Sequence, residues 1–148
     1  MEKEILTILI AASPVSELRG AIPAAIFFWD FPALKAFLLS VFGNFLPVIP
    51  LLLFLKYLTG WLSHRVYFLN RFFSWLFERT RKQHNHHFEV WKELALIIFV
   101  AIPLPLTGAW GGTVAAFVFG IPLHRAILDI GLGILISGLI VLSITYVL

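Results

Sequence analysis

Ser13-Pro14-Val15-Ser16-Glu17-Leu18-Arg19-Gly20 interrupts the apolar run 5–29, and Pro103-Leu104-Pro105-Leu106-Thr107-Gly108 interrupts the apolar run 94–119. Proline removes a backbone donor, and glycine permits backbone angles that other residues resist. Pro14, Gly20 and Pro23 at the first interruption, and Pro103, Pro105 and Gly108 at the second, are the break-forming residues. Each arm beside a break has about 8–14 residues, or ~12–21 Å of helix, which is half of a ~30 Å hydrocarbon layer. That length suits a re-entrant hairpin with its turn at mid-depth. The alternative is a proline-kinked spanning helix. Unpaired backbone at mid-depth is tolerated only where protein or a wet cavity covers it.

Working outward, two further apolar stretches, 33–58 and 122–148, are long enough to cross. Hydrophobic residues are 60% of the chain and charged residues 13%, against roughly 25% charged in a soluble domain. The class is therefore a polytopic membrane protein of one domain, 1–148. There is no cysteine, which excludes disulfides and thiolate metal sites. No nucleotide loop, Ser/His/Asp arrangement or zincin motif occurs. No enzyme activity, cofactor, metal or nucleic-acid partner is expected.

Shifting the sequence by 90 places sets Pro32 on Pro122, Lys35 on Arg125, Ala36 on Ala126, Leu38 on Leu128 and Gly43 on Gly133. This register holds beside the two matching breaks. It divides the chain into repeat one (about 4–58), a connector (about 59–93) and repeat two (about 94–148). A hairpin on one face followed by one crossing helix ends on the opposite face. The second unit then runs inverted, as in many transporters whose sites lie where broken helices meet. The predicted fold is all-α: an inverted repeat of re-entrant helical hairpin plus transmembrane helix.

The connector holds Arg65, Arg71, Arg79, Arg81, Lys82 and Lys92, six of the chain's 11 Lys and Arg. Positive loops stay inside, so the connector is expected to be cytoplasmic and the chain multi-pass in the cell membrane. Trp61, Leu62, Val66, Leu69, Phe72, Phe73, Leu76 and Phe77 recur at helical spacing, predicting an amphipathic helix in the interface. Residues 81–87, with three histidines, read as a solvated polar turn.

Charge inside a membrane segment is costly and marks a candidate site. Glu17 is the candidate proton carrier, and Arg19 and Arg125 are candidate holders of an anionic headgroup, because arginine stays charged and grips phosphate bidentately. Glu17 and Arg19 either converge at the break or form a structural ion pair. Asp129, four residues after Arg125, either pairs with it or assists transfer. Ser16 and Thr107 are candidate N-caps for the half-helices after the breaks, whose positive ends favour anions. Asn44 within a span is expected to bond across helices. Gly111, Gly112, Gly131, Gly133 and Gly138 mark close packing. Lys35 is read as snorkelling to the interface.

The segment 14–23, the Gly43-Asn44 pair with Pro47, and 101–105 followed by Thr107-Gly108-Ala109-Trp110 resemble the signature of the small multidrug-export protein family, which is related to the DedA superfamily. The likeness runs from about Ile8 to Leu142. It implies paired re-entrant hairpins and a homodimer. The family pattern usually has Gly where this chain has Leu106. The wider superfamily implies proton-linked movement of lipid phosphates such as the undecaprenyl carrier. The expected function is thus a proton-linked secondary transporter or lipid translocase for an anionic lipid phosphate. The alternatives are an exporter of hydrophobic cationic drugs and a non-transporting membrane scaffold.

Overall fold

A computed structural model describes residues 1–65, 68, 71, 72, 74, 75, 78 and 86–148. Among them there is no strand. Helices are α1 (Glu2–Ala12), α2 (Glu17–Phe27), α3 (Ala33–Phe45), α4 (Val48–Arg65), α5 (His86–Ala101), α6 (Ala109–Val118) and α7 (Leu123–Val147). Much of the interfacial helix expected from Trp61 to Phe77 and most of the polar turn at 81–87 lie outside the described residues. The helix carrying the third apolar run begins at His86, eight residues before that run.

Both breaks fall where the sequence puts them. Ala12 ends α1 and Glu17 begins α2, while Ala101 ends α5 and Ala109 begins α6. The two arms at each break pack against one another. Pro23 is a correction: it sits inside α2, which runs through it to Phe27. Its missing N–H leaves the Arg19 carbonyl without its helical donor, but the turn itself is made upstream.

The 90-residue register reappears in the backbone. Asp30 (φ 53°) and Gly120 (φ 68°) are both left-handed. Each is followed two residues later by an extended proline, Pro32 or Pro122, that leads into α3 or α7. Gly43 lets α3 approach α1, since a Cβ there would lie 2.6 Å from the Ile8 carbonyl oxygen. Gly133 does the same for α7 on α5, with Val100 Cβ at 2.6 Å and the Ile97 carbonyl oxygen at 3.0 Å. Gly112 and Gly138 are likewise tight, against Val100 and Phe37, whereas Gly131 makes only an ordinary contact with Phe45.

Among the described residues two helices are long and apolar enough to cross a membrane: the kinked 33–61 unit of α3 and α4, and α7. The kink lies at Leu46-Pro47. α2, α3 and α7 pack on each other in the middle; α1 lies against α2 and α3, α5 against α6 and α7, and α4 against α6. Leu18, Ile22, Val48, Val100, Ile130 and Ile134 fill the core. Large apolar side chains such as Phe28, Leu38, Phe54, Leu128 and Leu139 face outward, as lipid contact requires and water does not. Lys35 does not simply snorkel: its Nζ is 2.7 Å from the Glu4 carboxylate. That bond, with the terminal ammonium at 2.6 Å, holds the exposed-end Glu4 carboxyl down at a pKa of about 2.

Candidate functional site

The first break closes as a tight turn. Ser13 N–H bonds to the last carbonyls of α1, and Glu17 N–H returns to the Ser13 carbonyl 3.1 Å away. Glu17 then opens α2 with φ 47°, a left-handed conformation that a non-glycine residue adopts at some cost. This turn throws its carboxylate across to the second break. The carboxylate lies on Gly108, close enough that a Cβ at that position would collide with it, and the Trp110 backbone N–H is nearby. Glu17 is only 4% exposed. Its negative charge therefore sits at the N-terminus of α6, where unpaired N–H groups and the helix dipole favour it.

Neither Ser16 nor Thr107 caps the half-helix it was expected to cap. Ser16 precedes α2 with a helical backbone and makes no side-chain cap. Thr107 is not the N-cap of α6, because Gly108 is. The Thr107 hydroxyl instead ties the second break together, bonding the Ile102 carbonyl at 2.7 Å and the Leu104 carbonyl at 2.8 Å, and accepting from Leu104 N–H at 3.2 Å. Leu106, beside it, has φ 71° and is exposed. Trp110 is the residue the sequence reading missed. Its backbone N–H lies near the Glu17 carboxylate, and its indole N–H donates to the Ala12 carbonyl at 3.0 Å. Nothing in the spacing of Trp110 signals this, since the partner is 98 residues away.

Arg19 turns elsewhere. Among the described residues no ion pair within 4 Å joins it to Glu17. Its Nη2 donates to the Val15 carbonyl at 3.3 Å, and its buried Nε has no partner. Arg19 lines a cavity of about 250 Å³ with Pro23, Phe27, Pro103, Val141, Ile144, Thr145 and Leu148. The walls are α2, the second break and the last turns of α7. Of the side chains lining it, only that of Arg19 is charged. The Thr145 hydroxyl is already used, on the Val141 carbonyl at 2.8 Å.

Arg125 does not join Arg19. It lies in the first turn of α7, and roughly 24 Å of helix axis separates it from Val141 beside the cavity. Its guanidinium reaches Glu93 at 2.8 Å and Glu89 at 4.0 Å, both on α5. The expected pair with Asp129 is not made. An arginine four residues before an acid is the weaker order on a helix, and Asp129 faces inward, 7% exposed, with Oδ2 unpartnered. Arg125 and Asp129 therefore belong to a separate cluster at the α5 end of α7. Asn44 is 2% exposed with an unpartnered Oδ1, so that oxygen makes no cross-helix bond. Ser40, one turn earlier, is buried with its hydroxyl equally unpartnered.

Residues 17–140, which include Glu17, Arg19 and the second break, match the model of a family described as "Putative small multi-drug export protein". No curated protein and no solved structure gives a match.

Proposed function

The chain belongs to the small multi-drug export protein family, and we propose that it is a proton-linked membrane transporter or lipid translocase whose substrate carries an anionic headgroup, a lipid phosphate of the undecaprenyl-phosphate kind. The observation that carries this reading is Arg19: a guanidinium with a buried, unpartnered Nε, facing a cavity whose other lining side chains are uncharged. An unpaired cation in a low-dielectric wall is costly, and a phosphate oxygen satisfies it directly. Phe27, Ile144 and Leu148 continue the cavity as an apolar track that suits a lipid tail.

Export of hydrophobic cations, which the family description suggests, fits this cavity less well. At about 250 Å³ it falls below the ~300–1,000 Å³ of drug-sized pockets. None of its lining side chains is a carboxylate, and the Glu17 carboxylate lies on Gly108. In this proposal Glu17 carries the proton, the broken segments are re-entrant, the two halves are an inverted repeat, and the basic connector faces the cytoplasm.

Arg19→Ala removes one charge-assisted hydrogen bond, about 1.5–3 kcal/mol, or on the order of 10–150-fold in affinity. Binding of a short-chain polyprenyl phosphate to the purified protein should weaken by that factor, without parallel loss of cationic-dye efflux. Unchanged lipid-phosphate binding together with abolished dye efflux makes the chain a drug exporter instead.

A further inference from the structure

Trp110 meets both flanks of the opposite break. Its indole N–H holds the Ala12 carbonyl at the end of α1, and its backbone N–H meets the Glu17 carboxylate at the start of α2. Gly108, two residues earlier, gives that carboxylate its room. The last carbonyls of a helix and the first N–H groups of the next are the backbone groups a break leaves open. Here one residue of the second half answers an open carbonyl on one side of the first break and presents a donor on the other. Indole and backbone N–H belong to one residue, so an indole anchored on Ala12 restricts where the α6 N-terminus can sit.

We propose that Trp110 is the positioning residue of this site: its indole, anchored on Ala12, sets the register of the α6 N-terminus and thereby holds the Glu17 carboxylate between the two breaks. Release of the indole then frees Glu17. This rests on Glu17 being the working carboxylate, but it concerns how that carboxylate is held, which is measurable without transport.

The test is the rate at which a membrane-permeant carbodiimide labels Glu17, read by mass spectrometry on the purified full chain. Glu17→Gln identifies the labelled peptide. Trp110→Phe and Trp110→Tyr both delete the indole N–H and keep an aromatic ring, so one variant remains informative if the other fails to fold. Labelling of Glu17 should rise about fivefold or more, the factor that loss of one neutral hydrogen bond allows. Thermal unfolding of the same samples reports any general loosening, and labelling of Asp129, which Trp110 does not touch, should stay at its wild-type rate. Glu17 labelling within twofold of wild type, or Glu17 and Asp129 rising together, overturns the proposal. Either result leaves proton coupling standing, because coupling is decided by flux.

Discussion

Leu106 and Glu17 hold the strain of the site. Both are non-glycine residues with positive φ, at 71° and 47°, and each sits at the turn of its break. A left-handed conformation costs an L-residue roughly 1–2 kcal/mol, while glycine's extra freedom in the unfolded chain takes back about 0.5–1 kcal/mol. Leu106 is 82% exposed, so little buried surface is at stake. Leu106→Gly is therefore expected to stabilise the protein by about 0.5–1 kcal/mol, seen as a higher midpoint in denaturant titration in detergent. A lower midpoint would show that Leu106 makes contacts with lipid or another chain that outweigh its backbone. The departure from glycine at 106 was visible in the sequence; the positive φ that makes it matter was not. Glu17 was legible as a charged residue in an apolar run. Its partner was not, because the turn at Glu17 separates it from Arg19 and sends its carboxylate to Gly108. The pairing of Arg125 with Glu89 and Glu93 was hidden for a similar reason: it depends on where α5 starts, and the helix begins well before its apolar run.

The helices approach through glycines, and the neighbour decides how much each glycine matters. At Gly43 an added methyl meets backbone, the Ile8 carbonyl at 2.6 Å and Cα at 2.9 Å. At Gly138 it meets the edge of the Phe37 ring at 2.7 Å, and Phe37 is only partly buried. A ring can rotate away, but two helix backbones must separate. Gly43→Ala should therefore cost about 1–3 kcal/mol, the usual range for overpacking, and Gly138→Ala distinctly less. The comparison is made by thermal unfolding of both variants, and equal losses would contradict the backbone argument. Gly43 was legible as a packing site because it recurs as Gly133 at the 90-residue register, whereas Gly138 falls on Val48 and was read from its size alone. The breaks were legible from proline and glycine alone. What the breaks do in the membrane is a question of sidedness. Re-entrant arms put Glu2 and Asn85 on opposite faces, whereas four plain crossings put them on the same face. Glu2→Cys and Asn85→Cys, labelled in intact cells with an impermeant maleimide, should react at position 2 and not at 85. Reaction at both or neither returns the broken segments to kinked spans.

Across the whole molecule the charges sort to separate places along α7. Arg125, Glu89, Glu93 and Asp129 gather at its first turns, and Arg19 lies by its last turns. Glu17 lies between the halves, in contact with the second break but outside the cavity lining. A substrate at Arg19 and a proton on Glu17 therefore do not compete for the same atoms. They are linked through the short α2 segment that carries both residues, two positions apart. An anion bound at Arg19 removes the field of the guanidinium from Glu17, so binding makes the carboxylate easier to protonate. Protonation weakens its hold on the α6 N-terminus, which favours an anion over a neutral acid. The two breaks are then free to part. Linkage of this kind is reciprocal: whatever substrate does to proton affinity, protons do to substrate affinity. Polyprenyl-phosphate flux in proteoliposomes should accordingly depend on pH. Glu17→Gln, uncharged and close in shape, should remove both the pH dependence and net flux while leaving the protein monodisperse and its phosphate binding through Arg19 within a few fold of wild type. If Glu17→Gln transports at the wild-type rate with an unchanged pH profile, the carboxylate is a cap on α6 and nothing more, and the proton must enter through another group, for which buried Asp129 at the far end of α7 is the next candidate.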